Sequence, residues 1–155
     1  ASRRVTSLII GLPRTAKDRP MLAFANGARD SAYGDGDPTD GDPVGCLNLG
    51  YWYEELRESP NKVTVSYWFE RPAPDKLAGG EQAGGAAPQT DGGTVDLLLY
   101  RLQAFPHGPG AKATYRILDG DEVVRMGQVT RNERGAFRIP SAPADKKYTL
   151  ELARP

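Results

Sequence analysis

The chain has 155 residues, with 20 Lys plus Arg set against 20 Asp plus Glu and a formal net charge of zero. That length suits one well-formed core. The even charge argues against a nucleic-acid partner, which selects a basic excess or stripe, and against a polybasic membrane-surface protein. No apolar run approaches the ~18 residues that a membrane-spanning helix needs.

The first residues, Ala1 to Arg4, carry neither an initiator Met nor the apolar region of a signal peptide. They fit a mature product after cleavage or a cytosolic chain that has lost its Met. The expectation taken forward is the extracytoplasmic one: periplasmic, secreted or surface. Arg4 to Leu12 alternates with β-branched residues and predicts a first strand. Met21 to Ala25 predicts a second, closed by the turn dipeptide Asn26-Gly27.

Residues 26–46 read as a long loop in which the sequence Asp-Gly-Asp-Pro occurs twice, at 35–38 and 40–43. Gly and Pro keep this backbone out of regular structure. Asp35, Asp37, Asp40 and Asp42 are the candidate metal ligands, because calcium takes several carboxylate and carbonyl oxygens from a flexible loop. The EF-hand pattern fails in both registers: from Asp35 the fifth and sixth positions are Thr39 and Asp40, and from Asp40 the twelfth is Tyr51. A solvated turn-rich loop, its aspartates bonded to their own backbone, is the competing reading. Cys46 is the single cysteine, so no internal disulfide forms, and it reads as a small apolar residue.

Leu47 to Glu58 alternates at first, then reaches Glu54-Glu55-Leu56-Arg57, which suits either a strand or a helical turn. Val63 to Arg71 is a strand with Val63, Val65, Tyr67 and Phe69 on one face. Two aromatic clusters result. If Tyr51, Tyr53, Tyr67 and Phe69 fill a core, Trp52 and Trp68 share the opposite face, or the reverse. Tyr51, Trp52 and Trp68 are therefore the candidate binding residues, as a platform for sugar stacking or a protein hot spot. The alternative is two tryptophans anchoring a core.

Residues 72–93 form a second long loop with three Gly-Gly pairs and little to bury, expected to be exposed and flexible. Neither flank is comfortably self-sufficient, so 1–155 is expected to be one domain. Beyond it the chain predicts strands at Thr94–Phe105, Lys112–Leu118, Glu122–Thr130, Ala136–Ile139 and Lys146–Leu152. The sharpest hairpin signal is Asp119-Gly120. His107, the single histidine, sits in a Pro- and Gly-rich turn, without the spacing of a zinc site or a nucleophile elbow. Eight or nine short strands and almost no helix predict an all-β fold, an antiparallel two-layer β-sandwich with long loops.

The stretch after Thr114 has Gly127, Val129, Thr130, Gly135, Phe137 and Ile139, then a proline-containing loop, then Tyr148 and Leu150. It resembles the transthyretin-like or carboxypeptidase-regulatory-like modules. It departs from many of them in having Asn132-Glu133-Arg134-Gly135 at the turn where an Asp would stand first. The resemblance covers the last third of the chain. It implies an immunoglobulin- or transthyretin-like sandwich and an accessory role on secreted enzymes, surface proteins or secretion machines. The expectation is a non-enzymatic structural or protein-binding module, working with other protein subunits of a larger assembly. The alternative is a calcium-assisted carbohydrate-binding module.

Overall fold

The structure, a computed structural model, describes residues 19–28, 50–70 and 90–155. Among these residues there are eight strands and no helix. In chain order they are β1 (Met21–Ala25), β2 (Tyr51–Glu58), β3 (Lys62–Phe69), β4 (Thr94–Tyr100), β5 (Lys112–Asp119), β6 (Glu122–Thr130), β7 (Ala136–Pro143) and β8 (Tyr148–Ala153). They form two antiparallel sheets, β1-β4-β7 and β2-β3-β8-β5-β6. Each sheet combines strands from both sides of residues 71–89. The strand expected at Arg4–Leu12 lies outside the described residues.

Period-two burial builds the core between the sheets. On β3, Val63, Val65, Tyr67 and Phe69 are buried and their intervening neighbours are not. Leu150 and Leu152 face in beside them from β8, and Ala113, Tyr115 and Ile117 from β5. The smaller sheet answers with Leu22, Val95, Leu97, Leu99, Phe137 and Ile139. An aromatic contact joins the layers, with Phe24 5.7 Å from Tyr51, ring centre to ring centre, and within the larger sheet Tyr51 meets Phe69 edge-on at 4.8 Å. Two hydroxyls of the larger sheet cross to backbone at the margins of the smaller one. Tyr51 donates to the Gly92 carbonyl at 2.6 Å, and Tyr67 to the Pro143 carbonyl at 2.7 Å. Burial, and then the neighbouring Tyr148, push the Tyr67 hydroxyl far above its ordinary pKa. It is therefore a donor at every physiological pH.

The departures from the sequence reading have local causes. Glu54 to Arg57 is strand, not a helical turn. Glu55 and Leu56 stand opposite the single Val65, and Glu55 takes φ +53° to make that bulge. β4 stops at Tyr100 rather than Phe105, because Arg101 at φ +59° turns the chain. Phe105 nonetheless returns to the core, edge-on to Phe137 at 6.1 Å. The carboxylate of Glu58 holds that return, accepting the amides of Gln103, Ala104 and Phe105 at 2.7 to 3.2 Å. β7 runs past Ile139 through Pro140 to Pro143, which an edge strand tolerates. The β5–β6 hairpin closes on Gly120-Asp121, one residue later than expected. Asp119 pairs with Glu122, and Gly120 at φ +61° takes the first central position.

The loop expected over 72–93 also ends earlier than its composition suggests. Gly92 donates its amide to the Ala144 carbonyl, and Ala144 returns a bond to Gly93, extending the β4–β7 pairing. A Cβ on Gly92 would lie 2.4 Å from the Phe69 Cβ and 2.8 Å from the Ala144 carbonyl oxygen. The Gly92→Ala substitution is therefore expected to cost about 1–3 kcal/mol by overpacking. A fall in the urea midpoint at unchanged slope is the readout.

Candidate functional site

Asp35, Asp37, Asp40 and Asp42 lie outside the described residues. Among the described residues no group of three His, Cys, Asp or Glu is placed to hold a metal ion. His107 lies in an exposed turn, with Nδ1 2.6 Å from the Phe105 carbonyl.

The aromatic residues sort by strand parity. Tyr51 pairs with Phe69 and Tyr53 with Tyr67 on the inner face, and Trp52 pairs with Trp68 on the outer face. Tyr51 is thus a core residue and leaves the platform to the two tryptophans. Trp52 retains 9% of its surface and donates Nε1–H to the Glu70 carbonyl at 2.8 Å. The Lys147 ammonium stands 5.0 Å from the centre of the half-buried Trp68 ring and pairs with Glu54. Little open ring face remains on Trp52 for a sugar to stack on.

The rest of that outer face is polar. Ser66 and Thr149 bring their hydroxyls to 3.4 Å. Next comes Glu151, 9% exposed, held by Lys62 at 2.9 Å and by Arg116 through its Nε at 3.0 Å. Burial alone would raise the Glu151 pKa; the bonds from Lys62 and Arg116 overcome it and hold the carboxyl below its usual range. Arg116 in turn pairs across the strand with Met126 of β6.

β6 differs from every other strand. It is one of the two outer strands of the larger sheet and, among the described residues, the longest strand at nine residues, and six of the nine are exposed. Among the described residues the only exposed large apolar side chains are Val123 (39%), Val124 (44%) and Met126 (64%), all on β6. Val124 is the extra residue of a bulge, since Ile117 pairs with Arg125 and Leu118 with Val123. Inside, Gly127 accepts the ring of Tyr115, and a Cβ there would fall 2.9 Å from it. Arg125 covers the same ring at 5.9 Å and donates to the Ser141 carbonyl at 2.7 Å, fastening β6 to β7.

The other strand ends are blunted. β1 has five residues, β2 has its bulge at Glu55, and β7 carries Pro140, Pro143 and a bulge where Pro140 and Ser141 face Asp96 alone. β6 has a bulge too, but Met126 to Thr130 beyond it are regular and free of proline. Sequence reasoning looked to the tryptophans and passed over β6. The available signal was Glu122-Val123-Val124-Arg125-Met126, where apolar residues sit side by side instead of alternating.

Asp96 is a second buried charge, 5% exposed. It accepts from the Ser141 amide at 2.8 Å and the Asn26 side-chain amide at 2.9 Å, and it pairs with Arg138. Those donors serve two left-handed residues, Asn26 at φ +50° and Ser141 at φ +50°. Burial pulls the Asp96 pKa upward, and the three donors outweigh it, leaving it below the usual carboxylate value. On the outer face beside it, Leu98, Tyr100, Asn132, Glu133, Arg134 and Arg138 line a shallow hollow of about 400 Å³.

No known family, curated protein or solved structure matches this chain.

Both depressed carboxylates, Asp96 and Glu151, stabilise the fold fully above the unfolded-state carboxylate pKa and lose that contribution as pH falls through their lower folded values. The melting temperature is therefore expected to hold from neutrality down to about pH 5 and to fall below it. In Asp96→Asn the neutral-pH stability drops by about 1.5–3 kcal/mol and the acid limb becomes shallower. Thermal melts across the pH range, with parent and variant side by side, check both.

Proposed function

We propose that this protein is a non-enzymatic structural or protein-binding β-sandwich module, a subunit or accessory part of a larger extracytoplasmic assembly, and that β6 is the element that recruits its partner. One observation carries the reading: the exposed large apolar side chains of the described residues are gathered on this edge strand. An isolated exposed valine needs no explanation, but three within four positions at a sheet margin suit a protein contact. Edge strands recruit by strand addition, in which main-chain bonds supply affinity and alternate side chains supply choice. The regular run Met126–Thr130 offers that backbone, and Val123, Val124 and Met126 offer apolar area beside it.

The transthyretin-like resemblance of the last third supports the same accessory role. Gly135 turns at φ +86°, Phe137 and Ile139 are buried on the smaller sheet, and Tyr148 and Leu150 are buried on the larger. Among the described residues the carbohydrate reading has less support, since Tyr51 is in the core and Trp52 is nearly covered.

The double variant Val124→Lys, Met126→Lys tests the proposal. Both side chains are exposed, so stability is expected to change by no more than about 0.5 kcal/mol per site. Co-purification from native extract and native mass measurement should show the parent carrying a partner chain and the variant losing it. A parent that stays strictly monomeric and recruits nothing, or a variant that keeps its partner at full strength, overturns the reading.

A further inference from the structure

Asn26 is exposed at the end of β1, takes φ +50°, and is followed by Gly27. Its side-chain nitrogen donates to Asp96 Oδ2 at 2.9 Å. We propose that Asn26 is a site of spontaneous deamidation, and that its conversion to a carboxylate loosens the end of β1 from β4.

The chemistry needs only water. The backbone nitrogen of Gly27 loses its proton to solvent base and attacks the Asn26 side-chain carbon. A C–N bond forms, the bond to Nδ2 breaks, and ammonia leaves with a proton from solvent. Water then opens the five-membered imide at either carbonyl, giving aspartate or isoaspartate. A residue after Asn that lacks a Cβ crowds this ring least. Ring closure also requires the Asn26 side chain to leave Asp96, and that bond slows it in the folded protein.

The position makes the product matter. Asn26-Gly27 lies between two anchors of β1 on β4: the last pair, Ala25 with Asp96, and the bond from the Ala28 amide to the Thr94 carbonyl at 2.8 Å. Aspartate at 26 sets an acceptor against an acceptor, and a second negative charge beside a carboxylate that Ser141 and Arg138 already occupy. Isoaspartate adds a main-chain atom between the two anchors and so lengthens the path that joins them.

The test incubates the purified full chain in warm, mildly alkaline buffer and maps peptides by mass. Isoaspartate is scored by enzymatic methylation. Asn61 and Asn132, followed by Lys62 and Glu133, are the internal references. Asn26 is expected to convert at least about tenfold faster than either, and Gly27→Ala to suppress that conversion. Asn26→Asp, which makes one product directly, is expected to melt about 2–8 °C below the parent. Conversion of Asn26 no faster than that of Asn61 and Asn132 overturns the site, and an Asn26→Asp protein that melts with the parent overturns its consequence. The peptide map on the parent stands whether or not a variant folds.

Discussion

Two sheets with apolar inner faces attract one another, but apolar contact is non-directional and does not fix their offset. Here the offset is set by polar groups that cannot be left unpaired inside. The hydroxyls of Tyr51 and Tyr67 leave the larger sheet and find the Gly92 and Pro143 carbonyls at the margins of the smaller one. A slip of either sheet strands a buried hydroxyl and a buried carbonyl together, each costing about 1–3 kcal/mol. Gly92 is held twice over, by the Tyr51 bond and by the Phe69 side chain lying against the space where a Cβ would stand. Packing supplies the driving force, and these few directional contacts choose one arrangement among many of similar burial.

The same division of labour runs through the charged groups. Asp96 and Glu151 are both nearly buried, yet they do different things. Asp96 serves backbone, satisfying an amide freed by the β7 bulge and anchoring two residues in the left-handed region. Glu151 serves side chains, gathering Lys62 and Arg116 from the strands on either side of β8. One fixes a local backbone path, and the other ties three strands of a sheet across its outer face.

Much of this was legible in the sequence, for a physical reason. Where a strand is buried on one face only, hydrophobic period reports directly on orientation, so the inward set Val63, Val65, Tyr67 and Phe69 could be read without coordinates. The same held for Phe137, Ile139, Tyr148 and Leu150. Legibility failed where the period breaks. Bulges at Glu55, Val124 and Ser141 each insert a residue that belongs to neither face, and a two-residue rhythm has no symbol for that. Parity placed Trp52 and Trp68 on one surface but could not say that Lys147, distant in sequence, would sit against Trp68. The β6 surface was missed because adjacent valines look like ordinary strand until a sheet order makes that strand the outermost.

The sheet order also governs how the chain can assemble. β8, the last of the described strands, lies at the centre of the five-stranded sheet, between β3 and β5. Until Tyr148–Ala153 has been synthesised, the β2–β3 and β5–β6 hairpins have no shared neighbour, and each remains a two-stranded ribbon of marginal stability in water. A ribosome-bound chain therefore cannot lock its larger sheet strand by strand. It holds two hairpins apart and completes both when the keystone strand arrives, an ordering dominated by pairings between distant parts of the chain.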